Sequence, residues 1–169
     1  MLYIQLIGFL AFLTYTLSYS RDTYNKVLTY QLTANFAYTV HYFLLGGISA
    51  AFVCAIDMLK DVVFINIKKD GFKCAIVLII LYCIPTYIFY ENLASIFPLL
   101  GSSVSVLVLA KNDKKWVLKG GIITACMWLP YNIIVHSYSG TIAEVIIISS
   151  AAINLWKMNK VEKNLHKKV

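Results

Sequence analysis

Three charged side chains in an apolar stretch of this 169-residue chain could do chemistry. Lys60 and Asp61 follow Asp57 by three and four residues, so all three share one face if the segment is helical. A central Asp or Lys in a bilayer costs about 2.5 to 3.5 kcal/mol on insertion scales, so such residues mark functional pathways. On one reading Asp57 is a proton or cation site, or a polar anchor for a substrate. On the other it is compensated by Lys60, which snorkels to the cytoplasmic headgroups.

A second set of polar side chains forms a stripe upstream. Its members recur at spacings of four, three and four residues, with a histidine beside them: Gln31, Asn35, Tyr38 and Tyr42, flanked by His41. A helix with such a polar side either lines a water-filled cavity or makes hydrogen bonds to neighbouring helices. His41 is either a proton-coupling group or a structural histidine. It has no metal-ligand spacing with His136, so we expect no metal site.

Further candidates lie toward the C-terminus. The run Trp128-Leu129-Pro130-Tyr131-Asn132 contains a proline that removes a backbone donor and can open a helix toward a substrate, although its aromatic residues also suit an interfacial belt. Glu144 is either a gate residue or an acid favoured by a helix N-terminus. The candidate solute-binding residues are Asn35, Tyr38, His41, Asp57, Trp128, Tyr131, Asn132 and Asn154. The candidate gate or coupling residues are Asp57, Lys60 and Glu144.

Enzyme chemistry is not expected from this sequence. It contains no Gly-x-Ser-x-Gly elbow, phosphate-binding loop or His-Glu-x-x-His motif. We therefore predict no catalytic residues and no cofactor. The cysteines form no C-x-x-C pair and are interpreted as packing residues, as are three serines near Gly101: Cys54, Cys74, Cys83 and Cys126, with Ser102, Ser103 and Ser105.

The elements that carry these residues are predicted to be membrane spans. Hydrophobic residues make up 60% of the chain, charged residues 14%, and the mean hydropathy is +0.73, which excludes an ordinary soluble domain. Apolar runs recur at lengths that cross a bilayer of about 30 Å. We predict an all-α membrane protein of about seven helices, at 2–18, 27–46, 47–66, 74–90, 94–110, 116–136 and 141–158. No basic region precedes the first run, so we expect that helix to be retained.

Charge sets the expected orientation. The fifteen Lys and Arg residues occur in alternate loops, near one end of the predicted helices and in the tail, which by the positive-inside bias are cytoplasmic. The N-terminus is then outside and the C-terminus, with a polar tail at 159–169, is cytoplasmic. The net charge of +7 is interpreted as an interaction with anionic headgroups instead of with nucleic acid. The expected partners are the lipid bilayer and a small polar solute, and a homo-oligomer is compatible with the sequence.

An internal repeat is also predicted within the single membrane domain, 1–158. An Asp or Asn precedes a Lys by three residues in both Asp57-Lys60 and Asn154-Lys157. Glycine-bearing turns precede both pairs, and Gly8 has a counterpart in Gly101. These matches predict parallel three-helix units at 1–66 and 94–158, joined by a linker helix within 67–93, a layout used by transporters.

Four short stretches carry a resemblance to a known family. They are His41-Tyr42-Phe43-Leu44-Leu45-Gly46, Phe97-Pro98-Leu99-Leu100-Gly101, Gly140-Thr141-Ile142-Ala143-Glu144 and Ile153-Asn154-Leu155-Trp156-Lys157. In this order and spacing the chain resembles the YgjV-type family of bacterial inner membrane proteins over nearly its whole length. The resemblance implies a location in the inner membrane and no activity. This chain departs from the family pattern at three positions: the resemblance implies Asn at position 57 and Arg at positions 60 and 157, where the chain has Asp57, Lys60 and Lys157.

The predicted layout is similar in outline to that of SWEET and PQ-loop transporters. The Pro-Gln pair of those proteins is missing, because Gln5 and Pro98 stand apart. The sequence therefore favours a small-solute carrier of unknown substrate, with the solute between the two units. The alternative is a non-transporting structural or partner-binding membrane protein in which the same polar groups join helices.

Overall fold

The computed structural model describes residues 1–67, 70–111 and 113–166, and these residues form helices without any strand. A short 3₁₀ turn, Leu93–Ser95, lies between the fourth and fifth helices. The all-helical prediction is confirmed. The seven α-helices of the described residues are α1 (Leu2–Ser18), α2 (Tyr24–Leu45), α3 (Ile48–Asn66), α4 (Gly71–Ile88), α5 (Ile96–Leu109), α6 (Lys114–Ile134) and α7 (Tyr138–His166).

Several helix ends differ from the prediction because polar residues cap or extend them. The Thr23 side chain accepts a hydrogen bond from the backbone N–H of Lys26, which starts α2 three residues before the predicted position. Asp113 caps α6 in the same way by accepting from the N–H of Trp116 at 3.0 Å. At the other end of the chain α7 continues to His166, so most of the predicted tail is helical.

Two prolines lie in the interiors of helices, and a third lies in a first turn. Pro85 in α4 and Pro130 in α6 each remove one backbone donor, yet both helices continue past them. The sequence predicted that Pro130 could open its helix, but α6 runs without a break from Lys114 to Ile134. Pro98 is in the first turn of α5, where backbone N–H groups have no intrahelical partner in any case.

The distribution of polarity is that of a membrane protein. Three stretches of the described residues are long and apolar enough to cross a bilayer, namely Gly71–Ile88, Lys115–Ile134 and Tyr138–Lys160. The apolar segments Leu2–Ser18 and Leu93–Leu109 are shorter. Helices α2 and α3 carry many of the buried polar and charged residues of the bundle interior. Large apolar side chains of the described helices, α2 and α3 included, face outward.

The helices pack in a closed arrangement. Every helix contacts its neighbours in the chain, α1 also contacts α7, and α3 also contacts α5. Glycines allow two of the close approaches: a Cβ on Gly8 would collide with His41 and Ser139, and a Cβ on Gly101 would lie 2.8 Å from the Trp128 ring. Between α2 and α3, Gly46 has a φ of 87°, a left-handed conformation that glycine adopts at no steric cost. The bundle interior is therefore framed by helices from both halves of the chain.

Candidate functional site

A cavity of about 40 Å³ lies in the middle of the bundle. This central cavity can hold about three water molecules, at roughly 10 to 15 Å³ each. Among the described residues, six of the seven helices line it and α4 contributes no lining residue. The residues around it are Tyr15, Tyr19, Asn35, Tyr38, Tyr42, Cys54, Asp57, Lys60, Ser102, Ser105, Gly121, Thr124, Ala125, Trp128, Glu144 and Ile147.

One wall of the central cavity is a charged cluster on α3. The Lys60 ammonium lies 2.8 Å from Asp57 Oδ1 and 3.6 Å from Asp61 Oδ1. The lysine is only 1% exposed, so its side chain turns into the bundle and does not snorkel to a headgroup. The predicted Asp57–Lys60 ion pair is present. Lys60 is neutralised by carboxylates inside the protein and not by lipid headgroups.

Side chains from other helices donate further hydrogen bonds to Asp57. The Tyr82 hydroxyl on α4 donates to Asp57 Oδ1 at 2.8 Å, and the Ser102 hydroxyl on α5 donates to Asp57 Oδ2 at 2.8 Å. The ammonium of Lys60 donates to Ser105 Oγ at 3.3 Å. Both oxygens of Asp57 are thus occupied by protein donors, and the charged cluster joins α3 to α4 and α5.

The second carboxylate of the cluster is less completely bonded. Asn35 on α2 donates to Asp61 Oδ2 at 2.8 Å, while Oδ1 is buried without a hydrogen-bond partner among the described residues. With Asp57, Lys60 and Asp61 all ionised, two carboxylates face one ammonium and the cluster carries a charge of −1. Such a group attracts a further cation or a proton.

Glu144 supplies another carboxylate to the central cavity. It is 9% exposed, and among the described residues its one hydrogen bond comes from Asn132 Nδ2 at the long distance of 3.4 Å. None of the ion pairs between described residues includes it. The helix-dipole interpretation of Glu144 is wrong, because α7 begins at Tyr138 and has no acid in its first turn.

Aromatic rings form the wall near Glu144. Tyr42 stacks on Trp128 with ring centroids 5.5 Å apart, and on Tyr38 with centroids 6.0 Å apart. The Tyr42 hydroxyl donates to Asn132 Oδ1 at 2.7 Å, which orients the amide toward Glu144. In contrast, the buried hydroxyl of Tyr38 has no hydrogen-bond partner among the described residues. The central cavity therefore combines carboxylates, an aromatic surface and a free hydroxyl.

Comparison with known proteins identifies the chain. A family model described as "Imp-YgjV: Bacterial inner membrane protein" matches residues 2–162. The chain belongs to this family. The resemblance noted from the sequence is thereby confirmed, and the family description places the protein in the bacterial inner membrane. No curated protein and no solved structure matches the chain.

His41 of this inner membrane protein lies outside the central cavity. Its Nδ1 is 2.8 Å from the carbonyl oxygen of Ile4 and its Nε2 is 2.9 Å from Ser137 Oγ. A carbonyl only accepts, so Nδ1 carries a proton and donates to Ile4. Gln5 strengthens the same junction by accepting from the backbone and the hydroxyl of Ser139. This arrangement ties α1 and α2 to the turn between α6 and α7.

The other predicted site residues differ in whether they line the central cavity. Asn35, Tyr38, Asp57, Lys60, Trp128 and Glu144 line the central cavity. Asn132 and Tyr131 are buried beside it, with Tyr131 packed edge-on against Tyr42. Asn154 is apart, because its amide donates to the Ser150 carbonyl within α7. It lies sixteen residues past Tyr138, the first residue of α7, whereas Asp57 lies nine past Ile48, the first residue of α3, so Asn154 is about two helical turns deeper.

Sequence reasoning missed several residues of the site. Tyr15 on α1 and Tyr82 on α4 belong to helices that read as uniformly apolar, so only their hydroxyls could have drawn attention. Ser102 and Ser105 were interpreted as packing residues but hydrogen-bond to the charged cluster. Among the described residues, no group of three His, Cys, Asp or Glu side chains is placed to hold a metal ion.

Proposed function

We propose that this inner membrane protein is a carrier that binds a small solute in the central cavity and passes it across the bilayer. The observation that carries the proposal is the cavity itself, with the Asp57–Lys60 ion pair in its wall and a volume of about 40 Å³. Helices held together only by polar contacts would pack without a void. Here the polar faces of α2, α3, α6 and α7 meet around open space.

The proposed architecture is two parallel three-helix units, α1–α3 and α5–α7, joined by α4. Packing supports it, since each contact in one unit has a counterpart in the other: α1 with α2 and α5 with α6, then α2 with α3 and α6 with α7. The contacts between units are matched too, since α3 contacts α5 and α7 contacts α1. Rocking of one unit against the other would open the central cavity to either side in turn.

The proposed orientation puts the N-terminus outside and the C-terminus in the cytoplasm. Support comes from the basic residues that follow α1, α3 and α5 and accompany the end of α7. These helix ends share one end of the bundle because consecutive helices joined by short loops run antiparallel. The positive-inside bias assigns this end to the cytoplasm.

A non-transporting structural protein is the second candidate. The bonds of His41 favour it, because they are satisfied within the protein and join three parts of the chain. The unpaired Tyr38 hydroxyl opposes it, since a buried hydroxyl without a partner costs free energy unless a solute or water bonds to it.

Uptake by reconstituted vesicles tests the proposal. Vesicles with the purified protein and empty vesicles are offered a mixture of small metabolites, and the compounds retained are identified by mass spectrometry. We expect at least one compound to enter only with the protein. Ala125→Leu, which puts three carbons into the central cavity, should abolish that entry, while Ala152→Leu on the exposed face of α7 should not. Equal retention in both kinds of vesicle would support the structural alternative.

A further inference from the structure

The central cavity has an excess of negative charge. Asp57 and Glu144 line the cavity, and Asp61 lies 3.6 Å from Lys60 without lining it. With all groups ionised, these three carboxylates are matched only by the ammonium of Lys60, a net charge of −2. Uncompensated charges in a low-dielectric interior are costly, so a cation entering the cavity is stabilised and an anion is repelled. A proton or a cationic solute can neutralise this excess, so the carboxylates favour a cation over an anion in the cavity.

Glu144 is the carboxylate most available to such a solute. Both oxygens of Asp57 are held by Lys60, Tyr82 and Ser102. The Glu144 carboxylate has one long hydrogen bond from Asn132 and is in none of the ion pairs between described residues. A ligand cation can bond to it without displacing a protein cation.

The aromatic wall near Glu144 suits an organic cation. Tyr38, Tyr42 and Trp128 present stacked aromatic rings, and the faces of such rings attract ammonium groups by about 0.5 to 2 kcal/mol. A hard metal ion prefers a shell of oxygen atoms, which this wall does not provide. The free Tyr38 hydroxyl can accept a hydrogen bond from a ligand N–H group. Room for about three water molecules limits the ligand to a few heavy atoms.

We infer that the solute of this carrier is a small alkylammonium ion, bound between the Glu144 carboxylate, the Tyr38 hydroxyl and the Tyr42–Trp128 ring stack. The inference rests on the proposed function, because it names the substrate class of the same cavity. It concerns binding alone, and binding can be measured without transport.

Trp128 provides the readout. The other tryptophans, Trp116 and Trp156, are exposed outside the cavity, so Trp116→Phe/Trp156→Phe leaves Trp128 as the single fluorescent indole. Ethylammonium chloride is titrated into this variant in detergent, with sodium chloride and sodium acetate as comparisons. We expect a saturable fluorescence change with ethylammonium and none with the two sodium salts.

Two substitutions test the roles of the ligand groups. Glu144→Gln keeps the shape and removes the charge, so the dissociation constant for ethylammonium should rise at least about tenfold. Glu91→Gln, an exposed acid outside the cavity, should leave it unchanged. Tyr38→Phe removes a hydroxyl that has no protein partner, so it should weaken binding severalfold while the melting temperature stays the same. This variant decides the matter if Glu144→Gln does not fold.

The outcomes separate the two proposals. Absence of an ethylammonium response, or an unchanged dissociation constant in both cavity variants, overturns the inference. If another solute is taken up while ethylammonium does not bind, the substrate class is wrong and the carrier function stands. If ethylammonium binds as expected but neither it nor any other solute enters vesicles, the binding site stands and the carrier function fails.

Discussion

Replacing Lys60 with methionine should be strongly destabilising. Lys60 is only 1% exposed, and its ammonium lies 2.8 Å from Asp57 and 3.6 Å from Asp61 and also bonds to Ser105. Methionine has a similar length without the charge, so Lys60→Met leaves two buried carboxylates one helical turn apart with no ammonium between them. Removing one partner of a buried ion pair costs about 3 to 5 kcal/mol. The free energy of unfolding should fall by that amount.

The chain contains a matched control for this substitution. Lys73 and Asp70 form a pair of the same i, i+3 spacing at 2.9 Å, but their side chains are 82% and 61% exposed. Exposed pairs are screened by water, so Lys73→Met should cost about 0.5 kcal/mol or less. Unfolding of both variants is followed by loss of helical circular dichroism in mixed micelles of increasing denaturing detergent.

A double-substitution cycle completes the test. Asp57→Asn keeps the oxygen that Tyr82 bonds and removes the charge, so Asp57→Asn/Lys60→Met should be less destabilised than the sum of the two single changes. We expect a coupling of at least about 1 kcal/mol, as for other residues in direct contact. If Lys60→Met costs no more than Lys73→Met, or if the two substitutions simply add, the argument that this pair organises the bundle interior is refuted.

Three further predictions concern other parts of the bundle. His41→Phe leaves buried groups of α1 and of the α6–α7 turn unpaired, so the free energy of unfolding should fall by about 1 to 3 kcal/mol per group, and an unchanged value would contradict the structural role. Gly101→Val places carbon atoms against the Trp128 ring and should cost about 1 to 3 kcal/mol, measured in the same detergent titration; no loss would mean that α5 and α6 are not closely packed. Cysteines at Asp70 and Glu91 should react with an impermeant thiol reagent from opposite sides of the membrane, Asp70→Cys from the cytoplasm; reaction from the same side would contradict the orientation.

Much of the fold could be predicted from the sequence because apolar runs of membrane length are separated by short polar loops. Helix ends were less predictable, since residues such as Thr23 and Asp113 read as loop but cap the helices that follow. The start of α7 was misplaced for a similar reason: Ser139-Gly140 looks like a turn but lies inside the helix. That error made Glu144 look like a first-turn acid.

In the candidate site, contacts within one helix could be predicted from the sequence, whereas contacts between helices could not. The Asp57–Lys60 pair was readable because its spacing is local to one helix. The hydroxyls of Tyr82 and Ser102 reach Asp57 from other helices, and such contacts depend on how helices rotate against one another. Local periodicity does not specify that rotation. The same limit applies to Asn154, which matches the Asp57 motif in spacing but lies about two turns deeper and hydrogen-bonds within its own helix.

The most direct test of the carrier proposal uses Cys54, a buried residue that lines the central cavity. Replacing the other three cysteines with alanine, at Cys74, Cys83 and Cys126, leaves Cys54 as the single thiol. An impermeant cationic methanethiosulfonate is then added to membranes of either sidedness. Alternating access predicts that Cys54 reacts from the outside and, in inverted vesicles, from the cytoplasmic side as well. Reaction from one side alone, or only after unfolding, would contradict it.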